Sequence, residues 1–580
     1  METLSSSFFL PKFSQSSSSF VGIEKSPRRK IIANYSFSRF PDPLIRTKHP
    51  ISEEKREKPS LLAHLFKSVD DFICNHLDSP LRPSVDPKHV LSGNFSPVDE
   101  LPPTPCEVVE GSLPSCLDGV YFRNGPNPQF IPRAPYHIFD GDGMLHMIKI
   151  SGGKATFCSR YVKTYKYMVE RDLGHPIFPS GFASFNGLMA SMARIGLTAA
   201  RVLTGQYNPL INGSGTANTS VALIGGKLYA LGEGDLPYEI QVTSDGDLVT
   251  IGRHDFQSSE PFPSMTAHPK VDPDTGETCA FRFHAVPPFL TFFRIGSDGR
   301  KGPDVPIFSM KTTAMIHDFA VTKNYAIFND VQMVISPAEI LRGQPPMKVD
   351  TVKVPRLGVI DRYAKDESGM WWTDMPGFNI LHAVNAWEED DGETIVLVAS
   401  NLTSVDLVLE GLDLADLMLE EIRISVKAQK VVSRRPLSTK VLDLGVINPA
   451  YAGKKNRYAY AIVVAKPRKA VELVKLDLSL SSEDCHDCVV ASRKYEPGWN
   501  GSEPFFVPND PASDEDDGFI VTYVHDEKTQ ESKFLVMDAK SPTLEIVATV
   551  KLPGRVPTGF HGLFVSQSHV TEVCRNDQST

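Results

Sequence analysis

Apolar and polar positions change their rhythm twice along this chain. In "SLLAHLFKSVDDFICNHL", Leu61, Leu62, Leu65, Phe66, Val69, Phe72, Ile73 and Leu77 recur at helical spacing, with Lys67, Ser68, Asp70 and Asp71 opposite. Ser60 is a suitable N-cap. This amphipathic helix is expected to pack on the main body, with a membrane surface as the rival. From about residue 105 the rhythm becomes that of short β segments: "GMLHMIKI", "GKLYALGEGD", "NYAIFND", "ETIVLVAS", "RYAYAIVVA", "GFIVTYVHDE" and "KFLVMDA". Gly, Pro, Asn or Asp bounds each of them and supplies turn geometry. Many short strands at even spacing mean a sandwich, a barrel or a propeller. The β region is too long for one sandwich, so an all-β propeller is the economical fold, although no WD or kelch repeat is visible. One helical insertion interrupts it, residues 184–205, "SFNGLMASMARIGLTAARVLTG". Its apolar residues suit a lid or an interfacial contact, and Arg194 and Arg201, on one face, are expected to meet anionic headgroups.

Composition refines this picture. The chain has 580 residues, 41% hydrophobic and 22% charged, an ordinary globular balance. A net charge of −10 argues against a nucleic-acid partner. No stretch approaches the length of a membrane-spanning helix, and no obligate protein partner is evident. Eight scattered cysteines exclude a disulfide framework, and the single close pair, Cys485 and Cys488, reads as a surface loop. The first 45 residues are Ser-rich with recurring Lys and Arg, and only Glu2 and Glu24 are acidic among the first 40. That is the composition of a plastid transit peptide with a disordered start. The domain plan is therefore 1–45 transit peptide, 46–104 linker and amphipathic helix, 105–570 propeller, and 571–580 tail.

Four histidines share one kind of setting. His317 in "TAMIHDFAVT", His268 in "SMTAHPKVD", His382 in "FNILHAVNAWEE" and His561 in "GFHGLF" each lie among apolar or small residues at a strand end. For any one of them a core histidine bonded to a carbonyl is the plain reading. Their separations are 317 − 268 = 49, 382 − 317 = 65 and 561 − 382 = 179. These are not zinc-finger spacings; they suit blades that each send one side chain to a common axis. Four imidazoles without a thiolate suit a divalent transition metal. Zinc would be closed by four ligands, whereas iron(II) keeps two positions open. His146 and His284, also in apolar strands, are rivals for membership, and on the residues alone the choice stays open.

A resemblance bears on that choice. "YFRNGPNPQF", "HIFDGDGMLHMIKI", "GEGDLPYEI", "MTAHPKVDPDTGE", "MIHDFAVT", "HAVNAWEE", "EDDGFIVTYVHDE" and "VPTGFHGLFV" occur in this order between about residues 60 and 570. Together they resemble the carotenoid cleavage dioxygenases. The resemblance implies a seven-bladed propeller, helices capping its top face, and an axial iron(II), one per chain, held by His268, His317, His382 and His561. It implies supporting carboxylates at Glu233, Glu503 and Asp443; many relatives carry Glu at the last, so a displaced or water-mediated contact is expected there. It implies an oxidoreductase that cuts a carotenoid with dioxygen at the 9,10 or 9′,10′ bond, giving apocarotenoid aldehydes or ketones. The alternatives are 7′,8′ cleavage, 9-cis-epoxycarotenoid cleavage, or a non-enzymatic carotenoid-binding propeller of lipid droplets. Leu381 and Phe560, next to ligand positions, are the expected tunnel residues, followed by Phe185, Phe505 and Phe506. "VINPAY" and the Ser-rich start are most similar to the plastid group numbered four, which implies plastid localisation and a peripheral membrane or lipid-droplet contact.

Overall fold

A computed structural model describes residues 60–569, except 180–181, 410–415, 467–468, 482–486 and 510. The Ser-rich start, the linker to residue 59, the 571–580 tail, Cys485 and His486 lie outside the described residues. The body is all-β and propeller-like. Five four-stranded antiparallel sheets follow one another between Ser220 and Lys494, and one ten-stranded sheet joins residues from both ends of the chain. Each small sheet is a meander whose strands bury successive apolar residues, such as Ile395, Val396, Leu397 and Val398, on both faces. Sheet-on-sheet burial of this kind removes the apolar area that drives the fold.

The ten-stranded sheet departs from seven separate blades. Strand Leu101–Gly111 pairs Lys154–Tyr161 on one side and Ile546–Lys551 on the other. Its first part, to Cys106, pairs the former and its second part, from Glu107, the latter, so two groups of strands become continuous. That strand also begins four residues before the expected boundary at 105. The last strand, Gly562–Ser566, pairs Gly119–Pro126 in the register Val120↔Val565. The chain therefore returns to its beginning, which sets His561 beside residues from the middle of the sequence.

Helices are a minor part. Helix α1 (Leu61–Phe72) is capped by the Ser60 hydroxyl, which accepts from Ala63 N–H. Helix α2 (Leu188–Leu203) occupies the predicted insertion. Phe66 and Ile73 pack with Ala190 and Leu197, which joins the two helices. The expected packing of α1 is met by part of its apolar stripe, Ala63 and Phe66 with Ile73 just beyond, while Leu61 is 89% and Leu65 57% exposed. One expectation fails. Arg194 and Arg201 do not face outward; both are buried. Arg194 donates to Asp78 (Nη1 to Oδ1 2.6 Å) and to Ser184 O, and Arg201 lies 3.8 Å from Asp70. The arginines turn toward partly buried carboxylates on the α1 segment, and α2 then leaves Leu188, Met189 and Met192 exposed.

The Arg194–Asp78 pair, each side chain under a tenth exposed, fixes α1 to α2. Arg194→Ala leaves Asp78 as a buried unpaired charge, and a loss of about 3–5 kcal/mol in the stability of this helical pair is expected. Hydrogen exchange of the α1 amides checks it, since they would exchange with the rest of the β body unchanged.

Candidate metal centre

Each of the four histidines stands where a sheet begins. His268 precedes Lys270–Val271, His317 precedes Ala320–Val321, His382 lies in Ile380–Glu389, and His561 precedes Gly562–Ser566. Their four ring nitrogens all lie within 4.8 Å of one another. His317 Nε2 is 3.1 Å from His268 Nε2 and 3.3 Å from His382 Nε2. His561 closes the set, its ring centroid 4.5 Å from that of His268. His146 and His284 lie elsewhere. His146 is buried in strand Gly143–Ser151 and stacks on Phe157, and His284 Nε2 accepts from Arg282 Nε at 2.9 Å.

The opposite ring nitrogens are held by carboxylates. His382 Nδ1 donates to Asp443 Oδ1 at 2.8 Å, His561 Nδ1 to Glu503 Oε1 at 2.7 Å, and His317 Nδ1 to Glu233. The expected displaced or water-mediated contact at Asp443 is not found; the shorter acid reaches His382 directly. Among the described residues no carboxylate takes this position for His268. Burial, reinforced by the other imidazoles, pushes the His268 imidazolium well below its ordinary range. Burial also lowers His561, against the pull of Glu503. Burial acts the same way on His382, but the charge and hydrogen bond of Asp443 outweigh it and the net direction is upward. The partner acids move down: burial opposes this, and His382 for Asp443, and His561 with Arg123 for Glu503, prevail.

This donor set fits a metal. Nε2 atoms 3.1 and 3.3 Å apart cannot all carry protons, and the carboxylates keep the protons on Nδ1. Inward-facing lone pairs at that spacing repel unless a cation sits among them, and an all-imidazole set suits a divalent transition ion. Two further residues that sequence reasoning missed support the arrangement. Arg123 lies 3.8 Å from Glu503 Oε2 and donates to Phe560 O at 2.5 Å and to Tyr121 Oη at 2.8 Å. Its signal was a charge inside the apolar strand run "VYFRN". Asp318 accepts from Ala383 N–H at 2.7 Å and pairs with Lys270 at 2.8 Å, so it ties three of the histidine-bearing segments together.

A cavity of about 1410 Å³ opens onto His317, His382 and His561. Leu381 and Phe560 line it, with Phe139 and Phe182, whose rings lie 5.6 Å (Phe139 to Phe560) and 5.4 Å (Phe139 to Phe182) apart. Phe185 is not among its lining residues. Phe506 is fully buried in the core, and Phe505 lines a separate pocket of about 190 Å³ that reaches His268, His561 and Glu503. The wall aromatics Phe139 and Phe182 lay in "HIFDGDG" and "SGFAS", where nothing in one sequence separates wall from core.

Residues 94–566 match the family described as retinal pigment epithelial membrane protein, RPE65. The chain belongs to the RPE65/carotenoid cleavage dioxygenase family. It is 56% identical over 538 residues, 91% of this chain and 90% of the relative, to the probable carotenoid cleavage dioxygenase 4, chloroplastic, of Arabidopsis thaliana. It is 53% identical over 522 residues, 88% of this chain and 81% of the relative, to the 9-cis-epoxycarotenoid dioxygenase NCED1, chloroplastic, of Oryza sativa subsp. japonica. More distant relatives are named for 9,10(9′,10′) and for 7,8(7′,8′) cleavage. Among solved structures, a mutant of the Synechocystis apocarotenoid oxygenase matches with a TM-score of 0.68 at 25% identity, covering 84% of this chain and all of that one. As a carotenoid cleavage dioxygenase the chain is an oxidoreductase of an iron-dependent family, which sets aside the storage-protein alternative.

The excluded rival His146 has its own chemistry. Burial, with the charges of Arg555 and Arg123, depresses it to about 3, and its Nδ1 has no hydrogen-bond partner. An imidazole that stays neutral when folded but takes a proton when unfolded makes the unfolded chain bind more protons below about pH 6.5. Stability from this residue is therefore lost as pH falls, by about 1.4 kcal/mol per pH unit between roughly 6 and 4. Denaturant titrations at several pH values should show that slope in the wild type and a slope reduced by that amount in His146→Leu.

Proposed function

We propose that the chain is an iron(II)-dependent dioxygenase that cleaves the 9,10 or 9′,10′ double bond of a carotenoid, giving two apocarotenoid carbonyl products. The observation that carries this reading is the junction of the histidine cluster with the large cavity: an all-nitrogen donor set opens onto a cavity lined by Leu381, Phe139, Phe182 and Phe560. His268, His317, His382 and His561 would hold one Fe(2+) per chain, and Glu233, Asp443 and Glu503 would orient three of them. When bound, iron(II) supplies the activation of dioxygen. The chain's own residues do the rest. The aromatic wall binds a polyene by apolar burial and ring contact. The cavity decides which double bond faces the histidines. No nucleophile or general base is required, because one C=C and one O₂ balance to two C=O groups. The ten-stranded sheet is read here as two blades sutured by Leu101–Gly111, which with the five four-stranded sheets makes seven.

A second reading of the bond has support in the relatives' names: 53% identity to a 9-cis-epoxycarotenoid dioxygenase favours epoxycarotenoids, and 7′,8′ cleavage is the other alternative. The test is purified protein with iron(II), oxygen and a panel of carotenoids, with products identified by mass. His317→Ala is expected to lose turnover and most of its iron by metal analysis. Full iron and activity in that variant would remove the cluster from the mechanism.

The proposed location is the plastid, reached by the first 45 residues. Carotenoids partition into lipid, so the substrate is collected from a membrane or lipid-droplet surface. No helix among the described residues is long and apolar enough to cross a membrane. The contact surface is the outward side of α1 and α2, where Leu61, Leu65 and Phe72 and Leu188, Met189 and Met192 are exposed. Inserting several such side chains at about 1.5–3 kcal/mol each suffices for reversible binding. Leu188→Glu with Ile195→Glu, at positions 49% and 37% exposed, should abolish liposome binding and activity on liposomal carotenoid. Activity on a detergent-dispersed apocarotenoid should persist; parallel loss of both activities would place the helix in the core instead.

A further inference from the structure

The histidine cluster is approached from two sides. The large cavity borders His317, His382 and His561 but not His268. His268 borders the second pocket, of about 190 Å³, together with His561 and the supporting acid Glu503. The rest of that pocket's wall comes from several sheets at once. Ser220, Lys270 and Val446 belong to three of the four-stranded sheets, and Phe505 to the ten-stranded one. A position shared by so many sheets is an axial one, and the axis of a propeller is a channel. The pocket is too small for a polyene, but it has room for a divalent ion with a shell of waters at roughly 30 Å³ each. Such an ion pays heavily in lost hydration against the aromatic wall of the large cavity and less beside a carboxylate.

Lys270 stands between this pocket and the other histidines. Its ammonium lies 2.8 Å from Asp318 Oδ1 and 3.4 Å from Ala383 O, in the residues that follow His317 and His382. The Lys270 side chain is 28% exposed and that of Asp318 only 3%, so the cation covers a carboxylate beside the cluster. His268 is also the ring that no carboxylate holds among the described residues, so it can turn without breaking such a bond.

We propose that the axial pocket is the route by which the metal ion enters and leaves the histidine cluster, with the Lys270–Asp318 ion pair as its gate. When the Lys270 side chain swings away, Asp318 offers the incoming ion a carboxylate, and His268 is the first imidazole it meets. The inference rests on the metal-binding reading of the cluster and adds the path to it. A route has a kinetic signature. An obstacle in it slows arrival and departure by the same factor and leaves the equilibrium affinity alone, because the end states are unchanged.

The probe is cobalt(II), whose visible absorption reports its arrival at imidazole nitrogens; loss is followed in excess EDTA. Val446→Phe places a ring in the pocket and should slow both rates by about 10-fold, the scale of one overpacked side chain, with an unchanged dissociation constant. Lys270→Gln opens the gate and should speed both rates by about threefold or more. Phe182→Trp narrows the large cavity and should leave both rates as in the wild type. Thermal melts establish folding, and if Val446→Phe fails to fold, Lys270→Gln decides. Wild-type rates in folded Val446→Phe, or a change in one rate alone, overturn the route, as does slow exchange in Phe182→Trp. Wild-type rates in Lys270→Gln overturn the gate. A wild type that exchanges cobalt(II) without these effects overturns this inference alone, whereas one that binds no cobalt(II) overturns the metal-binding reading with it.

Discussion

The whole structure answers to one electrostatic constraint: four imidazole nitrogens are brought within 4.8 Å of each other with their lone pairs facing inward. Such a cluster holds together only if each proton is kept on the outer nitrogen. Three carboxylates do that for His317, His382 and His561. Those acids are buried or half-buried and need donors of their own. Glu503 has the Gly562 N–H at 2.8 Å and the Arg123 guanidinium at 3.8 Å, and Asp443 is pulled down by His382. The order of dependence thus runs outward, from the nitrogens to the acids to the strands that carry them. His561 reaches the others only because Gly562–Ser566 closes on Gly119–Pro126. Fold closure and site assembly are the same event.

That dependence explains what one sequence can reveal. The histidines were legible because an imidazole among apolar residues at a strand end is unusual, and because it happens four times at separations too long for local ligation. The supporting acids were legible by motif, yet the direct reach of Asp443 was not, since it depends on the backbone of its strand, whose register is bulged between Asp443 and Val446. Strands and both helices followed from periodicity. The sutured ten-stranded sheet did not, because pairing of Leu101–Gly111 with residues beyond 545 leaves no local trace.

The cavity wall was the least legible feature. Phe506 lies within strand Phe505–Pro508 and is fully buried, whereas Phe560, in the loop before Gly562–Ser566, meets the cavity, and nothing in the sequence around either marks the difference. Leu381 and Phe560, each next to one of the clustered histidines, line the cavity, because the histidine orients its neighbour. That logic has no reach for Phe139 and Phe182, which arrive at the wall from another part of the chain.

The helical pair shows the same limit for charge. Amphipathic spacing identified α1 and α2, and the ordinary assumption is that arginines face water. Here Arg194 and Arg201 turn toward Asp78 and Asp70, and Leu188, Met189 and Met192 face out. The inversion has a physical logic. The ion pairs and the contact of Phe66 and Ile73 with Ala190 and Leu197 lock the two helices to each other and leave part of their apolar surface exposed. The apolar surface is then left beside a cavity whose own lining includes Arg194, Leu197 and Arg201 from the same helix. One helix thereby supplies both part of the cavity wall and the exposed apolar surface beside it.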